Sequence, residues 1–271
     1  MSQAQPQDGL FKVIDEESGT RVLPSKLAGG PWNPAHQHGG PVSGLLTRAI
    51  ERMESPVPMR LSRLTVEMFR GVPLTPLRIE AHIVRAGRRI QSVEANLFDG
   101  EVQVARATGL RMRVDDSLSE VATRSEVDPA FDTPPDQVPP MVPREGFGGF
   151  PGFINAVDFV RNEPLEPGEP PSLWVRLRCR LVEGEETSPI ERLATLADFA
   201  SGTGNDMDFT KYTSINPDLT IHIVRAPRSD WLGIRGVTQR AVDGIGQSVA
   251  TIHDLEGPIA TGQACLLLDR R

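Results

Sequence analysis

The sequence predicts a duplicated α+β fold, two copies of a unit in which one helix packs on a mainly antiparallel sheet. Three observations predict it. First, the chain repeats itself at near-constant spacing. Leu64 to Arg70 (LTVEMFR) matches Leu219 to Arg225 (LTIHIVR), Arg85-Ala86 matches Arg240-Ala241, Gln91 to Val93 matches Gln247 to Val249, and Ala105 to Gly109 matches Ala260 to Ala264, at separations of 155, 155, 156 and 155 residues. A drift confined to turns is what duplicated strands with variable loops show. Second, in each copy one apolar stripe of helical period is followed by runs of period two. Third, no helical pattern separates those runs, so the strands join by short turns rather than by crossovers.

The first copy opens with the apolar segment Leu10 to Ile14. A Gly-, Pro- and His-rich stretch, Gly29 to Pro41, leads into a predicted helix over about Val42 to Met53, where Leu45, Leu46, Ala49, Ile50 and Met53 recur at three- and four-residue spacing. Pro41 suits a first helical turn and Pro56 ends the segment. Strands are expected at Leu64 to Arg70, Leu77 to Val84, Ile90 to Phe98 and Val102 to Val114, with Asp99-Gly100 as a hairpin turn. Residues 115–152 break both periods with repeated prolines, and Gly146 to Gly152 adds two phenylalanines. This stretch is expected to be a connector lying across the first copy. In the second copy, strands are expected at Phe153 to Arg161 and Leu173 to Val182. Ser188-Pro189-Ile190-Glu191 carries a capping box that opens a helix running to Ala200. Strands at Leu219 to Arg225, Trp231 to Ala241, Gln247 to Asp254 and Ile259 to Leu268 then repeat the order of the first copy. The domains expected are 1–114 and 153–271, joined by 115–152.

Composition narrows the function. The 271 residues carry a formal charge of −7, with 38% apolar and 24% charged residues. No basic run or basic aromatic stripe favours nucleic acid. Cys179 and Cys265 lie in no metal or redox motif and read as two buried, reduced thiols. Met1 to Gly9 is polar, without the apolar core of a signal peptide, and no apolar run is long enough to span a bilayer, so a cytoplasmic location is expected. No nucleophile elbow, phosphate loop, zinc motif or dinucleotide fingerprint is present.

The chemistry therefore rests on polar residues inside apolar patterns. Asp198 lies among Leu193, Ala194, Leu196, Ala197 and Phe199 on a helix that a sheet would cover. A buried carboxylate is costly unless paired, so Asp198 is either functional or turned to solvent at the helix end. Gln263 shares a strand face with Thr261, Cys265 and Leu267, and reads either as a buried hydrogen-bonding amide or as an edge residue facing water. Ser214, with Thr213 beside it, precedes a strand, where such residues commonly build turns. His38-Gly39-Gly40 precedes the first helix, where glycines let backbone N–H groups approach a ligand and a developing oxyanion could bind, or simply make a tight loop.

In combination these residues resemble the double-hotdog acyl-CoA thioesterases, the bacterial type II and peroxisomal enzymes. The matching segments are Leu193 to Phe199 around Asp198, Thr213-Ser214-Ile215 with Leu219 to His222, Ile259 to Gln263, and Gly39-Gly40. Asn216-Pro217 stands where that family usually has Asp-His. The resemblance implies two fused hotdog domains, each an antiparallel sheet wrapped around a central helix. It implies hydrolysis of acyl-CoA by a water molecule held by Asp198, Ser214 and Gln263. His38, Gly39, Gly40 and Thr213 would serve the oxyanion and substrate. It calls for no cofactor and no metal, and implies a homodimer or higher oligomer. The alternatives are a non-catalytic acyl-CoA- or lipid-binding protein and an enoyl-CoA hydratase or dehydratase. The latter needs an Asp and a His close together, whereas His36 and His38 have no Asp near them in sequence.

Overall fold

A computed structural model describes residues 9–16, 19–122, 126, 128–140, 152–162 and 170–271. In the first copy β1 (Gly9–Glu16) pairs with β2 (Gly19–Pro24), helix α1 (Gly39–Glu51) follows, and β3 (Met59–Met68), β4 (Leu77–Arg85), β5 (Ile90–Asp99) and β6 (Val102–Arg113) complete the unit. In the second, β7 (Val157–Asn162) pairs with β8 (Ser172–Leu177), and β9 (Arg180–Val182) leads to helix α2 (Pro189–Leu196). A 3-10 turn (Ala197–Phe199) joins α2 to the short α3 (Ala200–Thr203). The strands β10 (Tyr212–Ile215), β11 (Asp218–Ile223), β12 (Leu232–Arg240), β13 (Ile245–Asp254) and β14 (Gly257–Arg270) follow.

Among the described residues fourteen strands form one sheet, in the order β7-β8-β12-β13-β14-β11-β3-β6-β5-β4-β2-β1-β9, with β10 on the free end of β14. The two copies meet edge to edge where β11 pairs antiparallel with β3. The register is symmetric: Leu219 faces Val66, Ile221 faces Leu64, and the repeat-equivalent Thr220 and Thr65 face each other with a 3.1 Å hydroxyl hydrogen bond. Equivalent residues opposite one another mark a local twofold axis, the signature of a self-complementary interface. The copies also meet at the sheet's far end, where β9 of the second copy runs parallel to β1 of the first. That demand explains why the expected strand Leu173 to Val182 breaks at Arg178 and Cys179. Its first part stays with β7 and β12, and its second part crosses to the other copy.

The helices lie inside this wrapped sheet. Leu45, Leu46, Ile50, Leu193 and Leu196 are fully buried, as are the inward residues Leu64, Val66, Ala107 and Ile221 of the sheet. Helices α1 and α2 pack directly on each other. Glycines in α1 permit the approach: a Cβ at Gly44 would overlap the Thr195 hydroxyl, and one at Gly40 would overlap the Thr195 carbonyl oxygen. The capping box at Ser188 is present as the sequence predicts, with Ser188 Oγ accepting from the Glu191 N–H and Glu191 returning a bond to the Ser188 N–H. Helix α1 starts earlier than its apolar stripe, at Gly39, because His38 caps it in extended conformation.

Two expectations change. The described residues 128–140 of the connector lie on the second copy. Asp128 pairs with Arg235 of β12 at 3.0 Å, and Phe131 packs edge-on against Trp174 of β8 at 5.0 Å and beside His253 of β13. Phe131, Val160 and Trp174 form a small apolar cluster of their own, which draws the strap to that side. The Gly- and Phe-rich part of the connector, Gly146 to Pro151, lies outside the described residues. Cys265 is exposed rather than buried, because the alternation of β14 turns it outward with Thr261, Gln263 and Leu267; both thiols are free.

Candidate active site

Asp198 lies on the 3-10 turn that continues α2, and its side chain is only 3% exposed. It faces the N-terminus of α1 from the other copy: a Cβ on Gly39 would sit 2.9 Å from Asp198 Oδ2. His38 Nδ1 lies 2.8 Å from the same oxygen, and Asn216 Nδ2 donates to Oδ1 at 2.7 Å. His38 Nδ1 also lies 3.2 Å from the Gly40 nitrogen. One imidazole nitrogen cannot donate to a carboxylate and accept from an amide together. The shorter contact decides it: Nδ1 carries the proton and donates a hydrogen bond to Asp198, and the Gly40 N–H donates to the carboxylate instead. Burial pushes the Asp198 carboxyl up. The His38 imidazole, its hydrogen bond, the Asn216 amide and the Gly40 N–H outweigh that and hold it below the ordinary carboxylate range. The positive end of α1 adds to the same effect.

The His38 ring is held between Phe153 and Phe199, at centroid distances of 5.0 and 5.4 Å, and those two phenyl rings stack at 11°. His38, Gly39, Asp198, Ser214 and Asn216 line one cleft of about 420 Å³. Ser214 is buried on β10, and its Oγ accepts from Asn205 Nδ2 at 3.3 Å, which leaves its own proton for a guest in the cleft. Gly39 is the first residue of α1, so its N–H has no partner within the helix, and it too lines the cleft.

Not every expected residue belongs. Gln263 faces outward on the convex side of the sheet, opposite Thr220, which itself faces Thr65. The inward residues beside it are Gly262 and Ala264. Thr213 points away from Ser214 along the same strand and does not line the cleft. Gly40 is occupied by Asp198 rather than open to a ligand. Two residues enter unforeseen. Asn205 supports Ser214, and Asn216 braces Asp198 at the position where the sequence departs from the pattern it otherwise resembles.

The helix pair has a second end of similar construction. There Glu51, the last residue of α1, accepts from the hydroxyl of Ser188, the cap of α2, as Asp198 accepts from the cap of α1. That end is filled: Arg48 and Arg52 each hold Glu185 at 2.7 Å. Burial pushes the Glu51 carboxyl up despite the Ser188 bond, the reverse of Asp198. Among the described residues no group of three or more His, Cys, Asp or Glu side chains is placed to hold a metal ion, and no helix is long and apolar enough to cross a membrane.

Comparison with known families gives two matches. A family described as acyl-CoA thioesterase N-terminal domain matches residues 28–112, and one described as acyl-CoA thioesterase C-terminal domain matches residues 135–266. Solved structures share the fold at low identity. A conserved hot dog protein of unknown function from Alicyclobacillus acidocaldarius aligns with a TM-score of 0.73 at 14% identity, covering 95% of each chain. A candidate thioesterase from Novosphingobium aromaticivorans aligns at 0.73 and 20%, covering 98% of this chain and 100% of that one. The acyl-CoA thioesterase II of Mycobacterium marinum aligns at 0.68 and 16%, covering 97% and 96%. A comparison with curated proteins gave no match.

Proposed function

Because the chain belongs to the two-domain acyl-CoA thioesterase family, with the double hotdog fold, we propose that it hydrolyses an acyl-CoA thioester in this cleft by direct attack of water. The observation that carries the reading is the 2.8 Å contact between His38 Nδ1 and Asp198 Oδ2 on the cleft wall. A carboxylate held by three donors and pushed below its ordinary pKa is a poor proton acceptor near neutrality. Asp198 acts instead by fixing the proton on His38 Nδ1, which leaves Nε2 with its lone pair as the general base. Water adds to the thioester carbon as its proton passes to Nε2. The Gly39 N–H and the Ser214 hydroxyl stabilise the oxyanion. Collapse breaks the C–S bond, and the imidazolium returns the proton to the departing thiolate. The step draws on no cofactor. Asp198 and Ser214 stay in the site but with roles other than holding the water, and Gln263 takes none. A cytoplasmic homodimer or higher oligomer acting in lipid metabolism belongs to the same proposal.

The test is thiol release from acyl-CoAs of short, medium, long and aromatic acyl groups, with H38Q, D198N and the double variant. Each single variant loses at least about a hundredfold in kcat/KM, and the double loses no more than the worse single, as groups acting as a unit do. Near-wild-type turnover by D198N would sink the assignment.

One observation favours a second reading. His38 and Asp198, far apart in sequence, meet in space, and that pairing is what a hydratase or dehydratase on this fold needs. Conversion between enoyl-CoA and 3-hydroxyacyl-CoA without thiol release would select it. The outward position of Gln263 agrees with a non-catalytic binding protein, but a buried, tautomer-fixing Asp–His pair in a cleft has no use in passive binding.

A further inference from the structure

Among the described residues four glycines line the cleft: Gly30, Gly39, Gly71 and Gly202. Three of them are required by their neighbours. A Cβ at Gly30 would sit 2.9 Å from the Gln37 carbonyl oxygen, one at Gly39 would sit 2.9 Å from Asp198 Oδ2, and one at Gly71 would overlap the His36 ring. Gly202 differs. A Cβ there would meet nothing within 4 Å, and its φ is not positive. Nor does it end its helix: the cap of α3 is Gly204, where a Cβ would overlap the Gly236 carbonyl oxygen. Glycine inside a helix is less stable than alanine. Gly202 therefore carries a cost that neither backbone conformation nor packing explains, at an exposed position on the cleft wall.

Gly202 follows Asp198 by four residues, about one helical turn, so the two lie on one side. The polar groups around it are spent on the turn itself. Ser201 Oγ donates to the Asp198 carbonyl at 2.8 Å and Thr203 Oγ1 to the Phe199 carbonyl at 2.8 Å. The Gly202 carbonyl accepts from the Gly204 and Asn205 N–H groups. This stretch of the wall is thus the Phe199 ring and the bare Cα of Gly202, beside groups already bonded. Such a surface suits a hydrocarbon. The amides of pantetheine would lose water there without gaining a partner.

We propose that Gly202 sets the size of the acyl group the cleft accepts, its missing side chain being the space through which the acyl chain runs past Asp198. The proposal rests on the thioesterase reading and deepens it: the preferred substrate carries a medium or longer acyl chain rather than acetyl.

Two measurements test it. The first is the ratio of kcat/KM for octanoyl-CoA to that for acetyl-CoA. In wild type the ratio exceeds one, and G202L lowers it at least about tenfold, the low end for a misfit in an apolar pocket. A wild type that prefers acetyl-CoA, or a ratio that G202L leaves unchanged, overturns the proposal. G202A controls for the fold. Its urea midpoint is no lower than that of wild type, because alanine favours the helix. A lower midpoint would reveal a structural need for glycine and would also overturn the proposal. The second is calorimetric titration with S-octyl-CoA, a thioether with no carbonyl to attack, beside CoA itself. Wild type binds S-octyl-CoA more tightly than CoA, and G202L removes most of that difference. Its removal in a protein that releases no thiol upholds the acyl site and refutes the thioesterase reading. Hydrolysis by wild type with the difference intact in G202L refutes the acyl site alone.

Discussion

Asp198 shows how far a single residue can be read. A carboxylate inside an apolar helical pattern is legible as costly, and the structure shows what compensates it: an imidazole, an amide and a helix N-terminus. None of those partners was legible, because each lies on another element and His38 lies in the other copy. The compensation makes a prediction for pH. The folded pKa of Asp198 is below its ordinary value, so its stabilisation is complete above about pH 5 and is lost as pH falls through about 4 and below. Urea midpoints measured against pH will show a shallower acid decline for D198N than for wild type; equal slopes would mean that other carboxylates set it. Gln263 is open to two readings in the sequence, and the structure turns it outward. Its face of β14 carries Cys265 and Leu267, whereas the inner face carries Gly262 and Ala264 beside Leu266, and those small residues look less apolar in the sequence. Q263A will therefore keep kcat/KM within about twofold, as surface changes do; a hundredfold loss would restore it to the site. Burial pushes the Cys179 thiol up to about 11. Alkylation at pH 8, followed by mass spectrometry, should leave Cys179 largely unmodified in the folded protein.

At the level of elements, the α1–α2 contact matters most, because it carries both ends of the helix pair. G44A places a methyl group against the Thr195 hydroxyl and should cost about 1–3 kcal/mol by urea unfolding, the range for overpacking. S188A removes a cap that bonds both Glu191 and Glu51, and should cost about 1–2 kcal/mol. A neutral result for G44A would show that the helices can separate without penalty. The capping box and the periodic strands were legible because they are local signals. The strand β10 was not: Tyr212 to Ile215 reads as turn chemistry, and only the long overhang of β14 gives it a partner. The break between β8 and β9 is likewise imposed from outside, by the edge of β1.

For the whole molecule, the repeat at 155 residues foretold the twofold relation that the Thr65–Thr220 pair marks at the central seam. It did not reveal the second seam at β1 and β9, where a three-residue strand has too little pattern to read. With both seams crossing between copies, the copies should unfold together in one transition by circular dichroism and by tryptophan fluorescence; two separated transitions would show that they are independent. The paired helix ends set one more property. A symmetric duplication would offer two equivalent ligand sites, but here Arg48, Arg52 and Glu185 fill one end while the cleft opens at the other. Titration to saturation will therefore count one ligand molecule per chain, half of what the repeat alone would suggest.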